Sequence, residues 1–244
     1  MVRLKGRAND ALRPFKIERH FQKHPAGSVL VTMGNTKVVC AATIEDRLPF
    51  FIKGTGEGWI TAEYSMLPGA TDVRNARQLH NGRSQEIGRL IGRSLRSVTN
   101  LKALGERSIV IDCDVLEADG GTRTAAITGA FVALVEACET FYEPGGAFPV
   151  EDFLAAVSVG ISADGEALLD LCYEEDSTAI ADINVVMTDS GKLVEVQGTG
   201  EKRPFSREEL NNLLDLAAGG IKELIDVQKY VLGGVLVWRV GRVG

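Results

Sequence analysis

Asp112-Cys113-Asp114-Val115-Leu116-Glu117-Ala118-Asp119-Gly120-Gly121-Thr122-Arg123-Thr124-Ala125-Ala126 decides the fold, because a strand ends there in a glycine pair that opens directly into a helix. From Ser108 to Leu116 the residues alternate, with Ile109, Ile111, Cys113 and Val115 on one face and Asp112 and Asp114 on the other. Thr122 to Glu139 is then a helix of small and apolar residues, a composition that implies deep burial. Glycines at such a junction let the backbone turn tightly and bring its N–H groups close to a ligand. The first helical turn adds donors without intrahelical partners and the positive end of the helix dipole. Thr122 and Thr124 supply hydroxyls, and Arg123 supplies a planar fork of donors suited to phosphate oxygens. Taken alone, the segment is as compatible with an ordinary helix start capped by Thr122 as with a phosphate site. It is not a P-loop, because no Gly-Lys-Ser or Gly-Lys-Thr follows a four-residue spacer.

Upstream, Gly27 to Met33 and Lys37 to Ile44 flank Gly34-Asn35-Thr36 and read as a hairpin, and Trp59 to Tyr64 reads as a further strand. The polar stretch from Pro68 to Asn81 has no hydrophobic periodicity and reads as a long, functional loop. Gly82 to Asn100 is helical, with Ile87, Leu90, Ile91, Leu95 and Val98 on one face and Arg89, Arg93 and Arg96 on the other. Arg83 stands at the start of that helix. Downstream, the segment from Tyr142 to Asp152 is a Pro- and Gly-rich connector, after which the pattern restarts. Phe153 to Ser162, Ala167 to Cys172, Ile183 to Thr188 and Leu193 to Gln197 read as strands. A capping box at Ser206 and Glu209, with a Phe205/Leu210 staple, opens a long final helix. Strands followed by a helix, twice over, predict an α+β chain of two similar halves.

The composition bounds the function. The chain has 244 residues, 45% of them hydrophobic and 25% charged, and its longest apolar runs fall well short of a membrane span. Its first residues show no apolar run of signal-peptide kind, so a cytoplasmic location is expected. Cys40, Cys113, Cys138 and Cys172 are widely spaced and read as buried free thiols. A net charge of −6 argues against coating nucleic acid by bulk electrostatics. The region from 74 to 107 nevertheless carries eight arginines and lysines against Glu86 and Glu106, which points to a focused anion site.

A second chemical cluster lies in Tyr173-Glu174-Glu175-Asp176-Ser177-Thr178-Ala179-Ile180-Ala181-Asp182-Ile183-Asn184. Asp182 and Asn184 share the polar face of a strand. Carboxylates so placed suit Mg²⁺ coordination or general acid chemistry, or they form a solvated acidic turn. Arginine and backbone donors for an anion, joined with acidic residues for a divalent metal, is the usual composition of a site for phosphoryl or nucleotidyl transfer.

The chain resembles the ribonuclease PH family of phosphate-dependent 3′-end exoribonucleases, which includes relatives in polynucleotide phosphorylase and the exosome ring. The matching stretches include Gly6-Arg7, Leu12-Arg13-Pro14, Gly58 to Pro68, Gly82 to Ile87, Arg89 to Arg96, Ala118 to Thr124, Tyr173 to Ser177, Asn184 to Thr188 and Val196 to Thr199, covering roughly positions 3 to 232. The resemblance implies the ribonuclease PH fold, of ribosomal protein S5 domain 2-like type, with mixed sheets and flanking helices in two packed β-α halves at about 1–141 and 152–232 joined by 142–151.

It further implies a homohexamer, a trimer of dimers, that trims tRNA precursor 3′ ends with inorganic phosphate as co-substrate, acts on RNA rather than DNA, and runs the nucleotide-adding reaction in reverse. Phosphate binding then falls on Arg83, Gly121, Thr122 and Arg123, and catalysis and Mg²⁺ on Asp176 and Asp182. RNA contacts fall on Arg74, Arg77, Arg89 and Arg93. Two features depart from the family: the loop before Arg83 is several residues shorter than usual and has no lysine, and residues 233–244 form an atypical tail. The competing readings are a non-catalytic RNA-binding ring subunit, which would have lost Asp176, Asp182 or Arg123, and a small-molecule phosphotransferase, which would carry a kinase-type nucleotide loop.

Overall fold

The computed structural model describes residue 3 and residues 6–76 and 82–242. In chain order the elements are β1 (Phe15–Arg19), β2 (Gly27–Met33), β3 (Thr36–Glu45), β4 (Trp59–Met66), α1 (Gly82–Arg96), α2 (Leu101–Leu104), β5 (Ser108–Glu117) and α3 (Thr122–Glu139) in the first half. The second half holds β6 (Leu154–Ile161), β7 (Ala167–Leu169), α4 (Tyr173–Thr178), β8 (Ala181–Thr188), β9 (Leu193–Gly200) and α5 (Arg207–Arg239).

Two sheets form. The first has the order β1-β2-β3-β5-β4, antiparallel except where β4 runs parallel to β5 after the crossover through α1. The second, β7-β6-β8-β9, is antiparallel throughout. Helix α3 touches β2, β3 and β5 of the first sheet and β6 and β8 of the second, which explains a sequence apolar all round. Ala126, Phe131, Val132 and Leu134 are all sealed from solvent. Helix α1 packs on β4 and α3, and α5 covers β6, β7 and β1. One sheet is therefore mixed and the other antiparallel, and helices flank both, as the α+β reading expected.

The 27–44 hairpin closes with Met33 opposite Thr36 and Gly34 at φ 58°, and α3 begins and ends at the residues read from the sequence. Ser206 and Glu209 form the capping box that starts α5. All four cysteines are buried and free. Other expectations shift. The Gly82 helix stops at Arg96, and the strand expected over 167–172 ends at Leu169 because Asp170 takes φ 54°, which no continuing strand adopts. The acidic connector forms the short helix α4, and β1 and α2 were not anticipated. The final helix has a break at Gly233, where φ is 77°. No helix among the described residues is long and apolar enough to cross a membrane.

Candidate active site

The end of β5 and the start of α3 meet the second sheet where α4 leads into β8, and a cavity of about 1050 Å³ opens there. Arg83 of α1, Gly121, Thr122 and Arg123 at the start of α3, Asp176 of α4 and Asp182 of β8 all line it. Six residues from three regions of the chain, 99 positions apart at the extremes, thus face one space.

The junction is shaped by backbone conformation. Gly120 and Gly121 have φ of 76° and 64°, values that L side chains rarely adopt, and Gly121 rather than Thr122 is the N-cap of α3. Ala125 N–H donates to Gly121 O at 2.9 Å, so the amides of Thr122, Arg123 and Thr124 belong to the first turn and have no carbonyl four residues back within the helix. The carbonyls and carboxylate of the turn are meanwhile engaged from outside. Thr36 Oγ1 donates to Gly120 O at 2.7 Å, Asn35 Nδ2 donates to Asp119 Oδ2 at 3.0 Å, and the Tyr173 N–H donates to Asp119 Oδ1 at 3.2 Å.

Beneath the junction lies an ion-pair network that the sequence reading did not single out as part of the site. Arg13 grips the fully buried Asp170 through Nη2 at 2.7 Å and Nε at 3.0 Å, and its Nη1 donates to Asp119 O. Arg3 and Arg7 hold Glu175, whose carboxyl is placed at a pKa of about 2; burial opposes that shift, and the hydrogen bonds and charges of Arg3, Arg7 and the Cys172 N–H outweigh it. Glu175 precedes Asp176, so the same arginines fix the helix that presents the catalytic candidate. The only sequence signal was the arginines of Gly6-Arg7 and Leu12-Arg13-Pro14, whose acidic partners lie more than 150 positions away.

Arg123 is held on its other side. Its Nη1 donates to Gln197 Oε1 on β9 at 2.8 Å, and Gln197 Nε2 donates to Glu86 Oε1 on α1 at 2.9 Å. Tyr64 of β4 donates its hydroxyl proton to Thr122 Oγ1 at 2.8 Å. Burial raises the carboxyls of Asp176 and Asp182; Asp182 reaches about 6, pushed further by the Asp176 charge and restrained by Arg123. Asn184, on the same face of β8, donates to Asp182 Oδ2 at 3.4 Å.

The arginines expected to meet RNA do not line this cavity where they are described, although Val73 and Asn75, on either side of Arg74, do. Arg74 is exposed, Arg77 lies outside the described residues, and Arg93 pairs with Glu195 at 3.0 Å. Arg89 lines a different cavity, with Trp59 and Asp112. Among the described residues, no group of three or more His, Cys, Asp or Glu is arranged to hold a metal ion.

Residues 11–138 match domain 1 of the 3′ exoribonuclease family and residues 152–220 match its domain 2. The chain belongs to that family. Within it, the chain is 58% identical over 241 residues to the ribonuclease PH of Moorella thermoacetica, covering 96% of each chain. It is equally 58% identical to the ribonuclease PH of Bacillus subtilis, covering 96% of this chain and 98% of that protein. Among solved structures it is similar in fold to an Archaeoglobus fulgidus exosome with RNA bound to the active site, with a TM-score of 0.79 at 23% identity over 93% of this chain and 92% of that one. Rice Rrp46 is similar too, with a TM-score of 0.78 at 19% identity over 93% and 99%. The resemblance read from the sequence is borne out.

Proposed function

We propose that the cavity between α3 and β8 is where inorganic phosphate cleaves the last phosphodiester of an RNA 3′ end. The chain is a phosphate-dependent 3′-to-5′ exoribonuclease, a tRNA nucleotidyltransferase that trims tRNA precursors. The assignment of roles within it rests on one observation: the anion-holding residues and the two carboxylates line the same space.

Arg83, Arg123, Thr122 and the first-turn amides of α3 hold free phosphate as an oxyanion, with the helix dipole favouring its charge. A phosphate oxygen attacks the phosphorus of the terminal phosphodiester in line with the departing 3′ oxygen. The P–O3′ bond breaks, the terminal residue leaves as a nucleoside diphosphate, and the shortened RNA keeps a 3′ hydroxyl. That oxygen needs a proton. Asp182, with a pKa of about 6, is the member of the carboxylate pair better able to hold one near neutrality, and it is assigned as the donor. Asp176, as a carboxylate, and Asp182, through the oxygen that does not carry its proton, would hold Mg²⁺. When bound, the cation supplies positive charge that neutralises the transferring phosphoryl group.

Arg74, Arg77, Arg89 and Arg93 are assigned to RNA beyond the terminal nucleotide. We also assign the chain to a cytoplasmic homohexamer, a trimer of dimers, in keeping with apolar side chains such as Phe50, which is 95% exposed. Residues 1–232 form one catalytic unit in this assignment, with 233–244 as an appended tail.

A 3′-labelled single-stranded RNA incubated with Mg²⁺, with and without inorganic phosphate, tests the reaction. Nucleoside diphosphates released only with phosphate are the expected product, and monophosphates released without it would overturn the assignment. Light scattering of the same preparation tests the hexamer.

A further inference from the structure

We infer that Tyr64 is a positioning residue for the phosphate site: by donating its hydroxyl proton to Thr122 Oγ1, it commits the Thr122 hydroxyl to donate in turn into the cavity. The inference rests on the assignment of Thr122 to phosphate given above. A threonine hydroxyl carries one proton and two lone pairs, so left to itself it can present either to a neighbour. An anion accepts and never donates. A hydroxyl that faces phosphate is useful only when its proton points outward, and an alternative acceptor nearby would draw that proton away.

The geometry removes the choice. Tyr64 lies on the face of β4 turned toward the core, beside Ile60, and is only 6% exposed. Its hydroxyl reaches Thr122 Oγ1 at 2.8 Å, within the usual range for O–H···O bonds. Thr122 is itself buried yet lines the cavity, so its oxygen is occupied from the protein side and its own proton is left to the cavity side. Tyr64 also stays a proton donor. Burial raises its pKa, while the Thr122 hydrogen bond and the charges of Arg83 and Arg123 act in the opposite sense. Hydrogen bonds in series polarise one another, so donation from Tyr64 makes Thr122 the stronger donor to an oxyanion.

Because β4 is the edge strand of the first sheet and runs parallel to β5, its end lies beside the β5–α3 junction. Tyr64 is paired with Cys113 there, nine residues before Thr122. In the sequence Tyr64 stands only as one residue of a strand and of a stretch that matches the family, with no sign of its partner.

The test is a double-mutant cycle read as the KM for inorganic phosphate in RNA phosphorolysis. Tyr64→Phe, which removes only the hydroxyl, is expected to raise the phosphate KM about 3- to 10-fold, the usual worth of one hydrogen bond. The KM for RNA and the kcat at saturating phosphate are expected to stay within about twofold, since Tyr64 lies behind Thr122 and does not line the cavity. Thr122→Val raises the phosphate KM by itself, and adding Tyr64→Phe to it causes no further rise, because the phenol then has no hydroxyl to orient. A merely structural role would give additive losses and would move both substrates' KM values. Inorganic phosphate alone supplies a second readout that needs no turnover: its increase of the melting temperature is smaller in Tyr64→Phe than in wild type and equal in Thr122→Val and the double variant. An unchanged phosphate KM in Tyr64→Phe, or a full additional loss in the Thr122→Val background, overturns the inference. Absence of phosphorolysis in the wild type would instead strike the reading of the reaction, so the two failures are distinct.

Discussion

Arg123 Nη1 and Gln197 Oε1 meet at 2.8 Å across the boundary between the two halves, and the other end of the same amide donates to Glu86 on α1 at 2.9 Å. A guanidinium on a long side chain has many rotamers, and one fixed acceptor removes most of them without neutralising the charge. Glutamine suits this place because its amide both accepts from Arg123 and donates to Glu86, whereas a carboxylate could only accept. Gln197→Ala is expected to leave the fold intact, since residue 197 is half-buried on the edge strand β9. It should raise the phosphate KM about tenfold, in line with the loss of a hydrogen bond to a charged group. Steady-state kinetics at varied phosphate check this, and an unchanged KM would show that Arg123 finds its orientation without β9.

Arg13 and Asp170 make a different kind of pair, buried at 7% and 0% exposure and separated by 157 positions. Asp170 also holds φ 54°, a conformation that asparagine tolerates at least as well as aspartate. Asp170→Asn therefore removes the charge while sparing the backbone, leaving the Arg13 guanidinium buried without its counter-charge. A loss of about 3 kcal/mol is expected, which for a chain of this size lowers the melting temperature by roughly 6–12 °C. Thermal unfolding of the purified variant is the measurement. A shift within 1 °C of wild type would mean that the pair is replaceable by neutral hydrogen bonds.

These two relationships also mark what the sequence could and could not reveal. The Gly120-Gly121 junction was legible because everything that makes it is local: an alternating strand, two residues free to take positive φ, and a helix start. Asp182 and Asn184 were placed on one face by the period of a strand alone. Arg13 with Asp170, Tyr64 with Thr122, and Gln197 with Arg123 were not legible as pairs, because each is created by tertiary packing between elements distant in the chain. The stripe of Arg89, Arg93 and Arg96 shows the same limit from the other side. Helical spacing put them on one face, yet Arg93 pairs with Glu195, while Arg96 lies over the Trp59 ring at 4.4 Å and donates to Ile60 O. Periodicity gave their direction, and only packing gave their partners.

Gly120 couples the two chemical clusters physically. A Cβ there would come within 2.6 Å of Leu171 O, 2.7 Å of Cys172 C and 2.8 Å of Tyr173 N, all backbone atoms at the start of α4. Backbone cannot swing aside as a flexible side chain can, so Gly120→Ala must push α4, with Asp176, away from the N-terminus of α3. Strain at φ 76° adds about 1 kcal/mol. A displacement of about 1 Å at reacting groups costs on the order of 100-fold in rate, so kcat is expected to fall by that order while the protein still folds. Gly165→Ala is the control: φ is 85° but nothing lies within 4 Å of the added carbon, so it carries strain without a clash. Comparing kcat and melting temperature of the two variants separates the effects, and equal activity in both would sink the coupling.

Burial of Asp182 beside Asp176 makes folding stability depend on pH. Its pKa of about 6 in the folded chain lies above the roughly 4 of an unfolded aspartate, so folding favours its protonated form. The stability it contributes is fully present below pH about 4 and is lost as pH rises through about 6, where the buried carboxylate must carry its charge beside Asp176. Asp182→Asn keeps the shape, cannot ionise, and still offers an oxygen to the Asn184 amide. In metal-free buffer the variant should therefore be more stable than wild type by a margin that is small near pH 4.5, grows through pH 6 and levels off above it at about 2 kcal/mol, a gain of several degrees in melting temperature. Phosphorolysis should be lost across the same range, because an amide has no proton to give the departing 3′ oxygen at these pH values. Melting curves from pH 4.5 to 8 decide the matter: a difference that does not change with pH would show that the aspartate titrates as it does in the unfolded chain.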